Sequence, residues 1–292
     1  MPIQPTNYQL PTTPKIAFFG TPELVVPVLD ELKAAGLIPS LIVTAPDRPK
    51  GRGLALSPPP AKIWAEQNGV NILQPEKLDK NLINDLRSTF YDLFLIVAYG
   101  KIIPREIIDL PKFGTFNIHY SLLPKYRGAA PVETAILNGD KETGVSIQKM
   151  VFELDAGPVV AEEKTAIGEN ETAPELRDRL NTIAKKLLVE TMRKIVDGTA
   201  APREQNHKEA TSTKKITKEN GLIDLNSPAG ENWRKYRAYF NWPGTYFFTE
   251  RKGKKVRIII KDAGLENGEF KIKRVLPEGG REISYEDFLR GL

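Results

Sequence analysis

The chain has 292 residues, 40% hydrophobic and 27% charged, with a formal net charge of +5 and a pI of about 9.1. These proportions suit a globular protein with a packed core, and the length favours a domain of average size plus a smaller one. Cysteine is absent and only two histidines occur, far apart; this excludes disulfides, thiolate nucleophiles and thiolate metal sites and argues against a catalytic metal.

MPIQPTNYQLPTTPK at the start has neither the apolar centre of a signal peptide nor the arginines of an import sequence, and no run of eighteen apolar residues follows. A disordered lead over 1–14 and a cytoplasmic, membrane-free protein are the expectations. KIAFFG (15–20) predicts a buried strand, and TPELVVPVLDELKAAG (21–36) a helix closed by glycine. LIPSLIVTAP (37–46) reads as a second strand, and SPPPAKIWAEQNG (57–69) as a helix with Ser57 at its N-cap. NILQP (71–75), KNLINDLRSTF (80–90) and DLFLIVAYG (92–100) continue as strand, helix, strand. Further strands are predicted at 114–121, 143–151 and 158–167, then a long helix from about Ala173 to Asp197. Continuous apolar strands alternating with helices imply an α/β fold, a parallel sheet covered by helices on both faces.

GTAAPREQNHKEATSTKK (198–215) is polar and reads as a linker. Beyond it, GLIDL, GTYFF, KKVRIIIKDA and EFKIKRVL predict a small β-rich module, with a helix at WRKYRAYF (233–240). Residues 203–292 hold 19 Lys and Arg against 13 Asp and Glu. The basic excess therefore sits in this part, as a solvated surface or as a face for a polyanion such as nucleic acid.

GTPE (20–23) offers backbone donors at a helix start but lacks the G-x-G-x-x-G pattern, so an ordinary strand-to-helix turn remains its plain reading. PDRPKGRGLALSPPPAK (46–62) places Arg48, Lys50 and Arg52 in a connection longer than α/β units usually take. It is either a solvated insertion or an arm that grips phosphates. In FNIHYSLLPKYRGAAP (116–131), Asn117 and His119 lie two apart near the end of a strand and share one face. Open α/β sheets place their sites beyond the carboxyl ends of strands. KMVFELDAGP (149–158) adds Asp155. An amide donor, an imidazole and a carboxylate suit acyl transfer, the competing reading being a buried pair satisfied by backbone. Ser121 has no G-x-S-x-G elbow around it.

FNIHYSLLPKYRGAAP, with ETGVSIQKMVFELDAGPVV downstream, resembles the formyltransferases that use 10-formyltetrahydrofolate. FFGTPELVVPVL, PDRPKGRG, KKITKENGLIDL and YRAYFNWPGTYF are similar to the branch of that family that acts on charged initiator tRNA. The resemblance runs from about Lys15 to the terminus. It implies a Rossmann-like catalytic domain over 15–197, a linker over 198–213 and an OB-like, tRNA-binding β-barrel over 214–292. The implied reaction moves a formyl group from 10-formyltetrahydrofolate to the free amino group of initiator methionyl-tRNA, for translation initiation; a monomer is the default expectation, and the composition calls for no metal.

The family's catalytic asparagine, histidine and aspartate fall on Asn117, His119 and Asp155. Its folate pocket falls on Ile96, Val97, Ala98, Tyr99 and Gly100, and on Ser121, Leu122, Leu123 and Pro124. Its tRNA-contacting arm falls on Arg48, Lys50 and Arg52, with Arg52 foremost. Two departures stand out: Ala156 where threonine is frequent, and Glu133 where glutamine is frequent. A formyltransferase acting on an amino sugar or nucleotide is the alternative within the same chemistry, and an RNA-binding protein on an inactive scaffold is the alternative outside it.

Overall fold

The computed structural model describes residues 14–50, 55–251 and 253–291. The expected lead therefore lies, apart from Pro14, outside the described residues. In chain order the first elements are β1 (Ile16–Gly20), α1 (Val26–Ala34), β2 (Leu41–Val43), β3 (Arg48–Lys50), β4 (Ala55–Ser57), α2 (Pro60–Gln67), β5 (Asn71–Leu73) and α3 (Lys80–Ser88). There follow β6 (Leu93–Val97), α4 (Arg105–Ile108), β7 (Thr115–His119), β8 (Arg127–Gly128), α5 (Pro131–Asn138), β9 (Glu142–Lys149), β10 (Val159–Ala166) and α6 (Ala173–Val196). The last are β11 (Ser212–Thr213), α7 (Ala229–Ala238), β12 (Tyr246–Arg251), β13 (Lys254–Glu266), β14 (Glu269–Pro277), β15 (Ile283–Ser284) and α8 (Tyr285–Arg290). The described residues fall into two compact units, one drawn from those up to Arg127, from Gly144–Lys164 and from Asp178–Thr211, the other from Gly128–Thr143, Thr165–Arg177 and those from Ser212 onward.

The first unit is built on a seven-stranded sheet in the order β10-β9-β7-β6-β1-β2-β5. At its centre β1 (IAFFG) and β6 (LFLIV) run parallel, Ile16 beside Leu93 and Gly20 beside Val97, with every residue buried. Strands covered on both faces have no use for polar alternation, which is why these two are apolar throughout. The Phe19 ring lies 5.2 Å from Phe94 and edge-on to Tyr99 at 5.5 Å, a favoured aromatic geometry. The sheet turns antiparallel where β7 meets β9. On edge strand β10, Glu162, Glu163 and Lys164 are exposed, charges that discourage pairing with another chain.

Sequence expectations and local structure part in a few places. Ser57 ends β4 and does not cap α2; the cap position falls on Pro59, with Pro60 opening the helix, because the fixed proline φ presets the first turn. Asp79 does cap α3, accepting from the Asn81 and Leu82 amides. The polar stretch after α6 is tied to the first unit: Arg203 and Val159 exchange two backbone hydrogen bonds of 2.8 Å, and the Thr211 hydroxyl accepts from the Tyr126 amide. Among the described residues no helix is long and apolar enough to cross a membrane.

In the second unit β12, β13, β14 and β15 form a four-stranded antiparallel sheet, the curved sheet of a small barrel-like domain. Ile223, Trp233, Tyr236, Phe247, Ile258, Ile260, Val275 and Phe288 fill its core. A register shift between Ile260 and Ala263 changes the inward side chain from even to odd positions on β13, the local bend by which one long strand curls its sheet. GLIDL is not a strand. Lys218–Gly221 forms a 3-10 turn, and Leu222 makes a single bridge to Tyr246. Helix α5 packs with α7, where the Arg234 Nε donates to the Leu137 carbonyl at 3.0 Å.

Candidate functional site

β7 reads Thr-Phe-Asn-Ile-His, so Asn117 and His119 share the face opposite Phe116 and Ile118. Because β6 and β7 are parallel, with Ile96 beside Asn117, the carboxyl ends of β1, β6 and β7 meet at one edge. Gly20 lets that edge close: a Cβ there would sit 2.8 Å from the Val97 carbonyl oxygen. From the other side β9 sets Gln148 opposite Asn117 and Ser146 opposite His119. Cross-strand partners point the same way. One face therefore gathers an asparagine, a histidine, a serine and a glutamine.

His119 is 5% exposed. Its Nε2 lies 2.9 Å from the Tyr126 carbonyl oxygen, which can only accept, so that nitrogen carries a hydrogen. Its Nδ1 faces Asp155 Oδ2 at 3.6 Å. In the imidazolium form both nitrogens carry hydrogens, and Nδ1 then faces the carboxylate across 3.6 Å as a charge contact longer than a hydrogen bond. Gln148 Nε2 donates to Asp155 Oδ1 at 2.7 Å, and Asn117 Nδ2 approaches the same oxygen at 3.5 Å, which is long for a hydrogen bond. The structure thus brings all three sequence-predicted residues together, across 38 positions of chain. What the arrangement can do is donate to a developing negative charge, hold a cationic ring and take up a proton.

The backbone around these groups is bent to fit them. Ala98, Tyr126 and Asp155 have φ of +46°, +61° and +49°, left-handed conformations that cost non-glycine residues roughly 1–3 kcal/mol each and persist only where surroundings impose them. Gly157 passes so close to β9 that a Cβ would sit 1.8 Å from the Lys149 carbonyl oxygen. Gln205, buried, donates to the carbonyls of Asp155 at 2.9 Å and Gly157 at 2.7 Å. Its Oε1 accepts from Arg127 Nε and Nη2. Arg127 Nη2 also lies 3.1 Å from His207 Nδ1, and His207 is exposed. One side chain from the supposed linker thus clamps the Asp155 loop and, through Arg127, the residue next to Tyr126.

The expected folate residues occupy the same edge in different ways. Ile96 and Val97 are buried in β6, whereas Ala98 and Gly100 are exposed where the strand ends. Burial pushes the Tyr99 hydroxyl up to about 12, and that oxygen has no hydrogen-bond partner among the described residues. Ser121 is fully buried and gives its hydroxyl to the Lys125 carbonyl. Ser146 Oγ donates to the Ser121 carbonyl and accepts from the Leu123 amide, fixing the chain before Pro124. Leu122 and Pro124 remain half-exposed.

Of the expected tRNA arm, Arg48 is exposed on β3, Lys50 ends that strand, and Arg52 lies outside the described residues. Asp47, held below the usual carboxylate range by hydrogen bonds from Gln74 and Lys62, anchors its base. Glu133, in the second unit, pairs with Arg177, so its charge has a local partner where an amide would not need one. Ala156 is buried.

Sequence reading did not single out Tyr126, Ser146, Gln148 or Gln205. For two of them a signal existed: in Val-Ser-Ile-Gln the polar residues recur with period two inside a strand, the spacing of Asn117 and His119. Tyr126 acts through its carbonyl, and Gln205 reaches its partners across 48 and 50 positions. Neither leaves a local trace.

The Formyl transferase family profile matches residues 14–192, and that of the Formyl transferase C-terminal domain matches 215–271. The curated methionyl-tRNA formyltransferase of Caldanaerobacter subterraneus subsp. tengcongensis is 42% identical, over 95% of this chain and 96% of its own length. That of Halorhodospira halophila is 38% identical over 95% and 96%, and that of Thermus thermophilus 40% identical over 91% and 86%. Among solved structures, the N-formyltransferase from Helicobacter canadensis, in complex with folinic acid and dTDP-3-aminofucose, has a TM-score of 0.63 at 18% identity, covering 87% of this chain and 89% of its own. HypX from Aquifex aeolicus, in complex with tetrahydrofolic acid, has a TM-score of 0.61 at 16% identity, covering 95% and 47%. At such identities these two share the fold.

Proposed function

The chain belongs to the methionyl-tRNA formyltransferases, and from that premise we propose that Asn117, His119 and Asp155 carry the transfer of a formyl group from 10-formyltetrahydrofolate to the α-amino group of initiator methionyl-tRNA. The observation that supports it is the placing of an imidazole between a carbonyl oxygen and a carboxylate, with an amide alongside, at the carboxyl end of β7. In this reading the methionine nitrogen attacks the formyl carbon, and the carbonyl electron pair moves to oxygen. Asn117 Nδ2, only loosely engaged with Asp155, turns its hydrogen to that oxyanion; such contacts often tighten only when substrate is bound. His119, fixed at Nε2, offers Nδ1–H and positive charge to the same side. Asp155 accepts the proton lost by the attacking amine, directly or through a water. Collapse of the intermediate then breaks the bond to the folate nitrogen, which leaves with the proton that Asp155 took up, so that the carboxylate is restored.

The exposed residues that follow β6, Ala98 and Gly100, support a folate pocket at this edge. Arg48 and the exposed basic side chains of β13 and β14 would meet tRNA phosphates, contacts that position without reading sequence. Arg52 would sense the weakly paired acceptor end. The enzyme acts in the cytoplasm, as a monomer, in translation initiation.

The test is purified protein with 10-formyltetrahydrofolate and charged initiator tRNA, followed by the appearance of formylmethionyl-tRNA. Asn117→Ala should lower turnover about 100- to 1000-fold, the usual cost of one oxyanion donor, with tRNA affinity unchanged in a filter-binding titration. Lost tRNA binding with normal single-turnover chemistry would remove Asn117 from this role. Discrimination between initiator and elongator methionyl-tRNA that survives Arg52→Ala would remove Arg52 from its own.

A further inference from the structure

Gln148 is 1% exposed and faces Asn117 across the β7–β9 ladder. Its amide makes one short contact, Nε2 to Asp155 Oδ1 at 2.7 Å, while its Oε1 has no hydrogen-bond partner among the described residues. A buried acceptor without a partner is costly, and a side chain kept for packing alone would carry no such cost if it were apolar. The amide is therefore retained for its donor end. That donor engages Oδ1, and the other oxygen, Oδ2, is the one that faces His119 Nδ1 at 3.6 Å.

We propose that Gln148 is a positioning residue that assigns the two oxygens of Asp155 to separate tasks. By holding Oδ1 it fixes the carboxylate plane, so that Oδ2 stays toward the imidazole and the incoming amine. It also shares the negative charge on the oxygen that Asn117 approaches, leaving the Asn117 amide available to the reacting carbonyl. Gln205 holds the backbone of the same loop, so side chain and main chain of Asp155 are set by different residues. The proposal rests on the reading that Asp155 and His119 act together.

The experiment compares wild type, Gln148→Met, Gln148→Glu and Asp155→Asn in single-turnover and steady-state formylation of charged initiator tRNA. It adds thermal unfolding and imidazole NMR spectra of ¹⁵N-histidine-labelled full-length protein. With two histidines in the chain, His207 serves as the internal reference for His119. Gln148→Met should lower kcat by up to about 100-fold, the scale for a displaced reacting group, with KM for both substrates and Tm little changed. The His119 ring signals should move and those of His207 stay. Gln148→Glu keeps the shape, removes the donor and adds a like charge, so it should lose more. A wild-type kcat in either folded variant, or an unmoved His119 signal, overturns the proposal; should the methionine variant fail to fold, the glutamate variant decides. Asp155→Asn separates the two levels: if it too keeps the wild-type rate, the reading of the site fails, and if it alone is inactive, only the role of Gln148 fails.

Discussion

β7 and β9 set Asn117, His119, Ser146 and Gln148 on one largely buried face, whereas β13 and β14 in the second unit carry Lys254, Lys255, Lys261, Lys271, Lys273 and Arg274 in solvent. On the buried face three of these groups have a specific partner, a carbonyl for His119, a carboxylate for Gln148 and a backbone pair for Ser146. On the exposed face Lys271, Lys273 and Arg274 pair with Glu269, Glu266 and Glu282, contacts that water and salt screen and that contribute little. Lys255 and Arg257 lie over the rings of Phe248 and Tyr246 at 4.5 and 4.0 Å. The first arrangement fixes atoms; the second spreads attraction over many replaceable charges. Single substitutions should therefore fall hard on one and lightly on the other.

His119→Gln tests the contrast at its strongest. Loss of one donor to the developing oxyanion costs typically 100-fold or more, so kcat for formylation should fall by about that factor while a binding titration with charged tRNA stays near wild type. Gly157→Ala comes next. Its Cβ has no room beside the Lys149 carbonyl, and overpacking of this kind costs about 1–3 kcal/mol or more. A lowered Tm with weakened formylation is expected, and an unchanged Tm would show that the loop can yield.

Gln205→Leu is subtler, because it strips hydrogen bonds from the Asp155 and Gly157 carbonyls and from Arg127 without touching a reacting group. Faster hydrogen exchange in the 150–158 loop and a moderate fall in kcat should accompany it. The smallest effect belongs to the basic sheet. Lys261→Ala should weaken tRNA binding a few-fold for all tRNAs alike and lower the salt dependence of binding by about one ion. A hundredfold loss there would dissolve the contrast.

Most of the order of strands and helices in the first unit was legible because buried strands such as IAFFG and LFLIV advertise themselves by composition, though α4 and the β3–β4 pair were not; the asparagine–histidine–aspartate set was legible by spacing and resemblance. What escaped depends on pairing at long range. No local pattern announces that Ser146 will face His119 or that Gln205 will reach the Asp155 loop, since both follow from sheet register and chain return. Helix α5 was also missed; its eight residues follow directly on the polar loop and lack a side-chain cap. The expected strand at GLIDL failed for a different reason, as a capping box from Thr217 and Asn220 favours a turn over extension.

The pairing of α5 with α7 bears on how this enzyme could be recombined. Leu137 and Arg234 are joined although 97 positions separate them, and Arg237 reaches the Gly168 and Glu171 carbonyls as well. Transplanting only the last eighty residues from a relative would leave the donor's α7 facing a foreign surface. A working chimera has to import the short helix after the Arg-Gly-Ala-Ala turn together with the barrel, so the unit of inheritance here is discontinuous.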